Sequence, residues 1–246
     1  MRQHRPAWEG PILADVAVFV INHDVNRGVG SLAVAMARDA EGTLSLPSTQ
    51  LEGRATLEDA AREAVRGLIP GTPGNTWPSP LIWQTETMRI SDNTARLGYA
   101  AAARLVDMPE DGSLVLINPD ELAKNRAIPV TDSDRKIIAL GLQSLRRRVD
   151  KNEHATTEAR QNTLPILARL LDDPAAFTLA ELREVFSAIL GTSLDKGNFA
   201  NDAPANKWMG LIATTAQTTE TGGRPAKLWS LPHHILQTLG ERPSGR

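Results

Sequence analysis

The stretch Ile12 to Asn22 (ILADVAVFVIN) is a continuous apolar run rich in Val and Ile, the pattern of a strand buried on both faces. Leu32 to Ala37 is a second apolar segment. Asp39-Ala40-Glu41-Gly42 then reads as a hairpin turn before a short strand, Thr43 to Leu46. The period changes at Leu57. Leu57, Ala60, Ala61, Ala64, Val65 and Leu68 form a stripe at helical spacing. Thr56 can cap that helix, Glu58 and Asp59 suit its positive end, and Pro70-Gly71 ends it. A Pro/Gly-rich loop, Pro70 to Pro80, carries Trp77. Leu81 to Ile90 and Ala95 to Val106 read as two more strands, and Asn118-Pro119-Asp120 as a turn and helix start. This order suits a mixed-sheet α/β domain over residues 12–130.

Residues 131–173 are expected to connect. Ile137, Ile138, Leu140, Leu142, Leu145 and Val149 lie on a long helix, Thr131 to Val149, with more apolar surface than one face needs. Asp132 or Ser133 can cap it, and Arg146-Arg147-Arg148 closes it where cations suit the helix dipole. That triplet reads as a helix-end charge cluster or as a phosphate contact. The polar stretch Lys151 to Asn162 reads as a linker, and Leu164 to Leu171 as a short helix.

Residues 174–233 change pattern again. Thr178 with Glu181 three positions on is a capping box, followed by an apolar face of Leu179, Leu182, Val185, Phe186, Ile189 and Leu190 and a stop at Gly191. A second helix, Asp195 to Met209, is followed by a strand (Leu211 to Thr218), a Gly-rich turn (Glu220 to Pro225) and a return strand (Ala226 to Leu231). Helix, turn, helix, hairpin is a winged helix-turn-helix, so the predicted fold is α+β with two unlike parts. In such a unit the second helix enters the DNA major groove and the wing meets the backbone. The candidate DNA contacts are Lys196, Lys207, Arg224 and Lys227 for phosphate. Asn198, Asn201 and Asn206 are the candidates for base edges, since an amide pairs bidentately with adenine. Pro204 breaks or kinks the second helix, which is poor in Arg, so a winged helix used for protein contacts stays open.

The chain of 246 residues is 41% hydrophobic and 23% charged, as ordinary globular proteins are. It has no cysteine, hence no disulfide, thiolate ligand or thiol nucleophile. No apolar run is long enough to span a bilayer and no signal-peptide pattern precedes Gly10, so the cytoplasm is the expected location. The net charge of −2 is uneven: residues 146–246 hold 13 Lys+Arg against 11 Asp+Glu, and the preceding ones 14 against 18. A mildly basic C-terminal part is compatible with nucleic acid without demanding it.

The stretch Leu46 to Pro70 (LPSTQLEGRATLEDAAREAVRGLIP) is built like a Nudix box, G-x5-E-x7-R-E-U-x-E-E-x-G-U with U aliphatic. Anchored on Arg62-Glu63, the first Gly falls on Ser48, the first Glu on Arg54, the paired Glu on Arg66 and Gly67, and the late Gly on Ile69. Pyrophosphate hydrolysis at such a site needs several carboxylates around Mg²⁺ or Mn²⁺. Here Glu63 stands alone, and two acid positions are guanidinium groups, which repel a divalent cation and attract phosphate. Arg54, Arg62, Arg66 and Glu63 are therefore candidates for binding an anionic diphosphate, with no catalytic residue, metal or cofactor expected. An ordinary amphipathic surface helix would show the same stripe.

The order of a degenerate Nudix domain, a connecting helix, then FTLAELREVFSAILGTSLDKGNF and GGRPAKLWSL resembles the NrtR-type, Nudix-related transcriptional regulators of bacterial NAD metabolism. The resemblance runs from about Ala14 to Leu231 and is strongest at Phe177-Thr178-Leu179, Ala188-Ile189-Leu190-Gly191, Leu194-Asp195-Lys196, Asn198-Phe199 and Gly223-Arg224-Pro225-Ala226. It implies a repressor that binds a palindromic operator as a homodimer and releases it on binding a nucleotide-type effector, typically ADP-ribose, without hydrolysing it. Related members sense sugars. One departure is Ala200-Asn201-Asp202-Ala203-Pro204, where the family usually has basic residues after Asn198-Phe199. The alternatives are an active Nudix pyrophosphohydrolase, with metal held by Glu63, Glu52 and Glu58 or Asp59, and an interaction module that binds no DNA.

Overall fold

The computed structural model describes residues 10–23, 30–68, 81–91, 93–104, 114–149, 163–205, 210–217 and 226–239. The Pro70–Pro80 loop with Trp77, the Pro70-Gly71 helix stop, the Lys151–Asn162 linker and the Glu220–Pro225 turn lie outside them.

A mixed sheet is built on β1 (Ile12–His23). It pairs antiparallel with β2 (Gly30–Arg38), Val18 opposite Ala35, and β2 continues to β3 (Leu44–Ser45) through a turn in which Gly42 takes a φ of +84°. Thr43 donates its N–H to Asp39 Oδ1 at 2.7 Å to close that turn. β4 (Ser48–Gln50) lies along the start of β1. β5 (Leu81–Ser91) and β6 (Thr94–Ala102) form a hairpin, and β6 runs parallel to β1. β7 (Leu114–Ile117) pairs with β2, giving the order β3-β2-β1-β6-β5 with β4 and β7 beside that path.

The run of β1, apolar on both of its sides but for Asp15, suits a sheet covered on both faces. Ala14, Val16, Val18 and Val20 meet Ala60, Ala61, Ala64, Val65 and Leu68 of α1 (Leu57–Leu68). Three alanines let α1 lie close to the strands, and burying Val65 or Leu68 contributes about 1.5–3 kcal/mol each. The alternate residues Ala17, Phe19 and Ile21 meet Ile137, Ile138, Leu142 and Leu145 on the other side. These belong to α3 (Asp132–Val149), preceded by the short α2 (Pro119–Lys124). Gly141 allows α3 to approach: a Cβ there would stand 3.1 Å from the Phe19 ring and 3.2 Å from Ala100 Cβ. The α3 cap differs from expectation. Thr131 Oγ1 accepts the Asp134 N–H at 3.1 Å, so neither Asp132 nor Ser133 serves.

After α4 (Leu164–Leu170) comes a three-stranded sheet of β8 (Phe177–Thr178), β9 (Ile212–Gln217) and β10 (Lys227–Ser230), ordered β8-β10-β9. It frames α5 (Leu179–Leu190) and α6 (Lys196–Ala205), and α7 (His233–Thr238) follows. Phe177 and Thr178, expected only as a helix opening, also form a strand. The N-cap residue is extended, with φ −88° and ψ 158°, so it can pair with β10 before the helix starts. One apolar core is continuous from Phe19, Leu142 and Leu145 through Leu167 and Leu170 to Phe177, Leu182, Ile189 and Leu236. Among the described residues no helix is long and apolar enough to cross a membrane.

Candidate functional site

Helix α1 begins with a reciprocal cap. Thr56 donates its N–H to Asp59 Oδ2 at 2.9 Å, and Asp59 donates its own to Thr56 Oγ1 at 3.1 Å. The Thr56 hydroxyl, which also donates to Asp59 Oδ2 at 2.6 Å, and the Thr56 N–H together hold the Asp59 carboxyl below its ordinary range. The outer face of the helix carries the candidate effector residues. Arg62 pairs with Glu58 at 2.6 Å, one turn earlier, and Arg66 pairs with Glu63. All four side chains are exposed, 44–69% of their surface facing solvent, so each pair contributes at most about 1 kcal/mol and yields to a stronger anion. Arg54 is exposed in the loop before the helix. The helix thus brings Arg62, Glu63 and Arg66 together. The one carboxylate kept from the Nudix pattern faces a guanidinium where a metal would need further acid. Among the described residues no three of His, Asp and Glu cluster so as to hold a metal ion.

The C-terminal element is built by a second reciprocal cap. Thr178 donates its N–H to Glu181 Oε2 at 2.6 Å and accepts the Glu181 N–H at 3.1 Å. Leu182, Val185, Phe186 and Ile189 bury the inner face of α5. Gly191 ends the helix in the left-handed region, φ +70°, which a side chain would strain. Ser187 Oγ then accepts the Leu194 N–H at 3.2 Å, and Asp195 Oδ1 accepts the Asn198 N–H at 2.8 Å, so the turn and the start of α6 are both tied down. Phe199 seats α6 on α5 through an edge-on contact with Phe186, ring centres 5.6 Å apart. Lys196, Asn198 and Asn201 are left exposed. The helix passes through Pro204, which was expected to break or kink it, and is described as far as Ala205. Asn206, Lys207 and Arg224 lie outside the described residues. Lys227 is exposed on β10, its Nζ 4.5 Å from the centre of the Trp229 ring.

Three groups have partners that the local sequence pattern does not show. Asp15, fully buried within β1, accepts two hydrogen bonds from Arg96, at 2.7 and 2.8 Å. Asp134, 2% exposed, is also near Arg96, and burial pushes its carboxyl above the ordinary 3.8. The third is the arginine triplet. Arg146 donates through Nε to the Ile189 carbonyl at 2.8 Å and through Nη2 to Asp120 Oδ2 at 2.5 Å. Arg148 lies 5.5 Å from the centre of the Trp83 ring. All three arginines stand in the last turn of α3, as a helix-end charge cluster does, and Arg146 and Arg148 also make specific intramolecular contacts. The missing signal was a long-range partner; adjacent positive charge by itself does not show one.

A mixed sheet between a cap-anchored α1 and a long α3, joined to a helix-turn-helix with a hairpin behind it, has the fold of a Nudix-like domain followed by a winged helix. Residues 169–231 match the family model of the NrtR DNA-binding winged helix domain. Three solved structures share the fold over nearly the whole length. The crystal structure of Shewanella oneidensis NrtR complexed with a 27mer DNA has a TM-score of 0.64 at 17% identity, covering 92% of this chain and 95% of that one. A second crystal structure of Shewanella oneidensis NrtR gives 0.63 and 17%, with 90% and 94% covered. A MutT/nudix family protein from Enterococcus faecalis gives 0.56 at 15% identity, covering 94% and 90%. No curated protein sequence matches the chain. These matches agree with the NrtR-type resemblance of the sequence and establish the two-part α+β fold.

Proposed function

We propose that this chain is a ligand-responsive, DNA-binding transcriptional regulator, acting as a homodimeric repressor. In this reading residues 12–130 form the sensing domain, 131–173 the connecting helices and 174–233 the winged helix. The observation that carries the reading is α6. It is fixed at its start by Asp195, seated by Phe199, and presents Lys196, Asn198 and Asn201 outward. The match of this segment to a DNA-binding winged helix family supports the same conclusion. Lys196, Lys207, Arg224 and Lys227 meet phosphates, and Asn198, Asn201 and Asn206 read base edges.

The Nudix-type domain binds a phosphorylated, nucleotide-type effector such as ADP-ribose and does not cleave it. Arg54, Arg62 and Arg66 supply positive charge toward the diphosphate, and Glu63, paired with Arg66, accepts from hydroxyl groups. A ligand that binds only the folded chain raises its melting temperature by mass action. Thermal melting with ADP-ribose, NAD, AMP and sugar phosphates tests this part. The expected result is a shift with ADP-ribose and no AMP released in the presence of Mn²⁺. AMP release that disappears in Glu63→Gln would instead establish a hydrolase.

A further inference from the structure

The winged helix and the sheet domain share a core, and one half-buried polar contact also crosses between them. Arg146 lies in the last turn of α3. Its guanidinium takes two partners from two other elements: the Ile189 carbonyl near the end of α5, and the Asp120 carboxylate in the first turn of α2. It serves both partners. The Ile189 carbonyl is at a helix C-terminus, where the last carbonyls have no partner within the helix. Asp120 is itself positioned, since Asn118 Oδ1 accepts its N–H at 2.9 Å. The turn after α5 is shaped around the same group. A Cβ on Gly191 would fall 2.8 Å from Arg146 Nη2 and 3.3 Å from Asp120 Oδ2. From Gly191 the chain enters the turn closed by Ser187 and Leu194 and then α6. The contact borders a cleft of about 1130 Å³, with β2 and α2 on one wall and α5 and its turn on the other.

We propose that Arg146 and Asp120 form a latch that sets the orientation of the α5–α6 turn on the sheet domain, and that changes in this latch alter DNA binding without either residue touching DNA. The inference rests on the DNA-binding reading above. The geometry suits a reversible contact: Arg146 is 30% and Asp120 41% exposed, so water reaches both and can replace either partner. A fork with two fixed directions is also specific to Arg, because Lys offers a single point of attachment. Arg146 is a positioning residue, and α6 moves only because its turn is attached to the latch.

The chain has no cysteine, so a label pair can be placed without removing native thiols. Glu41→Cys, in the exposed turn before β3, and Ala200→Cys, exposed on α6, carry spin labels in the full-length chain. Distance distributions are recorded without DNA, and affinity for the region upstream of its own gene is measured in parallel. With Arg146 and Asp120 intact, the distribution is narrow. Arg146→Ala and Asp120→Asn each broaden or shift it, the double variant goes no further than either single one, and Arg146→Lys lies between. DNA affinity changes by about threefold in the variants, the size a half-exposed ion pair supports. Arg147→Ala, the exposed neighbour, leaves distance and affinity as they are. An unchanged narrow distribution in Arg146→Ala and Asp120→Asn overturns the latch. If the distances respond while no variant binds DNA, the latch stands as a structural contact and the regulator reading falls instead.

Discussion

Helices α1 and α6 each present polar side chains to solvent from one face and contact the protein with the other, but they divide these tasks differently. Helix α1 buries Ala60, Ala61, Ala64, Val65 and Leu68 against the sheet, and its outer charges neutralise one another as Arg62–Glu58 and Arg66–Glu63. Helix α6 is seated through the half-buried Leu194 and Phe199 and leaves Lys196, Asn198 and Asn201 exposed. The apolar scaffold of α1 is complete, while its outer carboxylates Glu58 and Glu63 each face an arginine. The outer face of α6 keeps groups suited to a polyanion on a much thinner scaffold. The packing that makes a helix and the outward groups that give it chemistry are therefore separable, and each is open to its own test.

The largest effect is expected where the winged helix joins the shared core. Leu182→Ala, fully buried on α5, should cost about 2–5 kcal/mol in urea unfolding, because the cavity lies in close-packed surroundings. Next come the caps, where the two helices should part company. Thr56→Ala and Asp195→Ala each remove a side-chain acceptor from a helix start and should each cost about 1 kcal/mol of local helix stability. The loss at α1 should appear in global unfolding, since that helix covers a sheet face. The loss at α6 should appear in amide exchange of α6 and in weaker DNA binding, with the melting temperature nearly unchanged.

A smaller effect concerns pH. Burial raises the Asp134 carboxyl above the ordinary 3.8, so the folded chain holds that proton more tightly than the unfolded chain does. The contribution to stability is full below the unfolded value and is lost as pH rises through the folded one. Asp134→Asn should flatten this part of the stability profile and leave the variant as stable as the parent, or more so, at neutral pH. Denaturant melts from pH 4 upward check it. The smallest effect belongs to the exposed face of α1. Arg66→Ala should change stability by less than about 1 kcal/mol, yet remove most of the melting-temperature shift produced by ADP-ribose.

Much of the fold is legible in local sequence pattern. The β1 run and the α1 stripe are readable from the apolar pattern itself, and the Thr56 cap, the Thr178 capping box and the Gly191 stop because their partners lie within a few residues. What is not legible depends on distant chain. β4, β7 and β8 are four residues or fewer, and each becomes a strand through pairing with β1, β2 or β10. Asp15 sits inside an apolar run and is tolerated because Arg96, 81 positions later, meets both its oxygens. Arg146 looks like any helix-end cation until the Ile189 carbonyl, 43 positions on, arrives beside it. In the candidate site, residue type was legible in Arg62, Arg66, Lys196 and Asn198. Their pairing and exposure were not, because these depend on rotamers and on neighbouring elements.

The most direct test is a fluorescence anisotropy titration of labelled duplex from the region upstream of the chain's own gene. It uses the full-length protein at low and moderate salt, with and without ADP-ribose, beside Asn198→Ala/Asn201→Ala. The expected result is saturable binding that weakens as salt rises, is lost in the double variant, and is reduced by ADP-ribose. No binding at any salt, or equal binding by the double variant, would contradict the assignment of α6 to DNA.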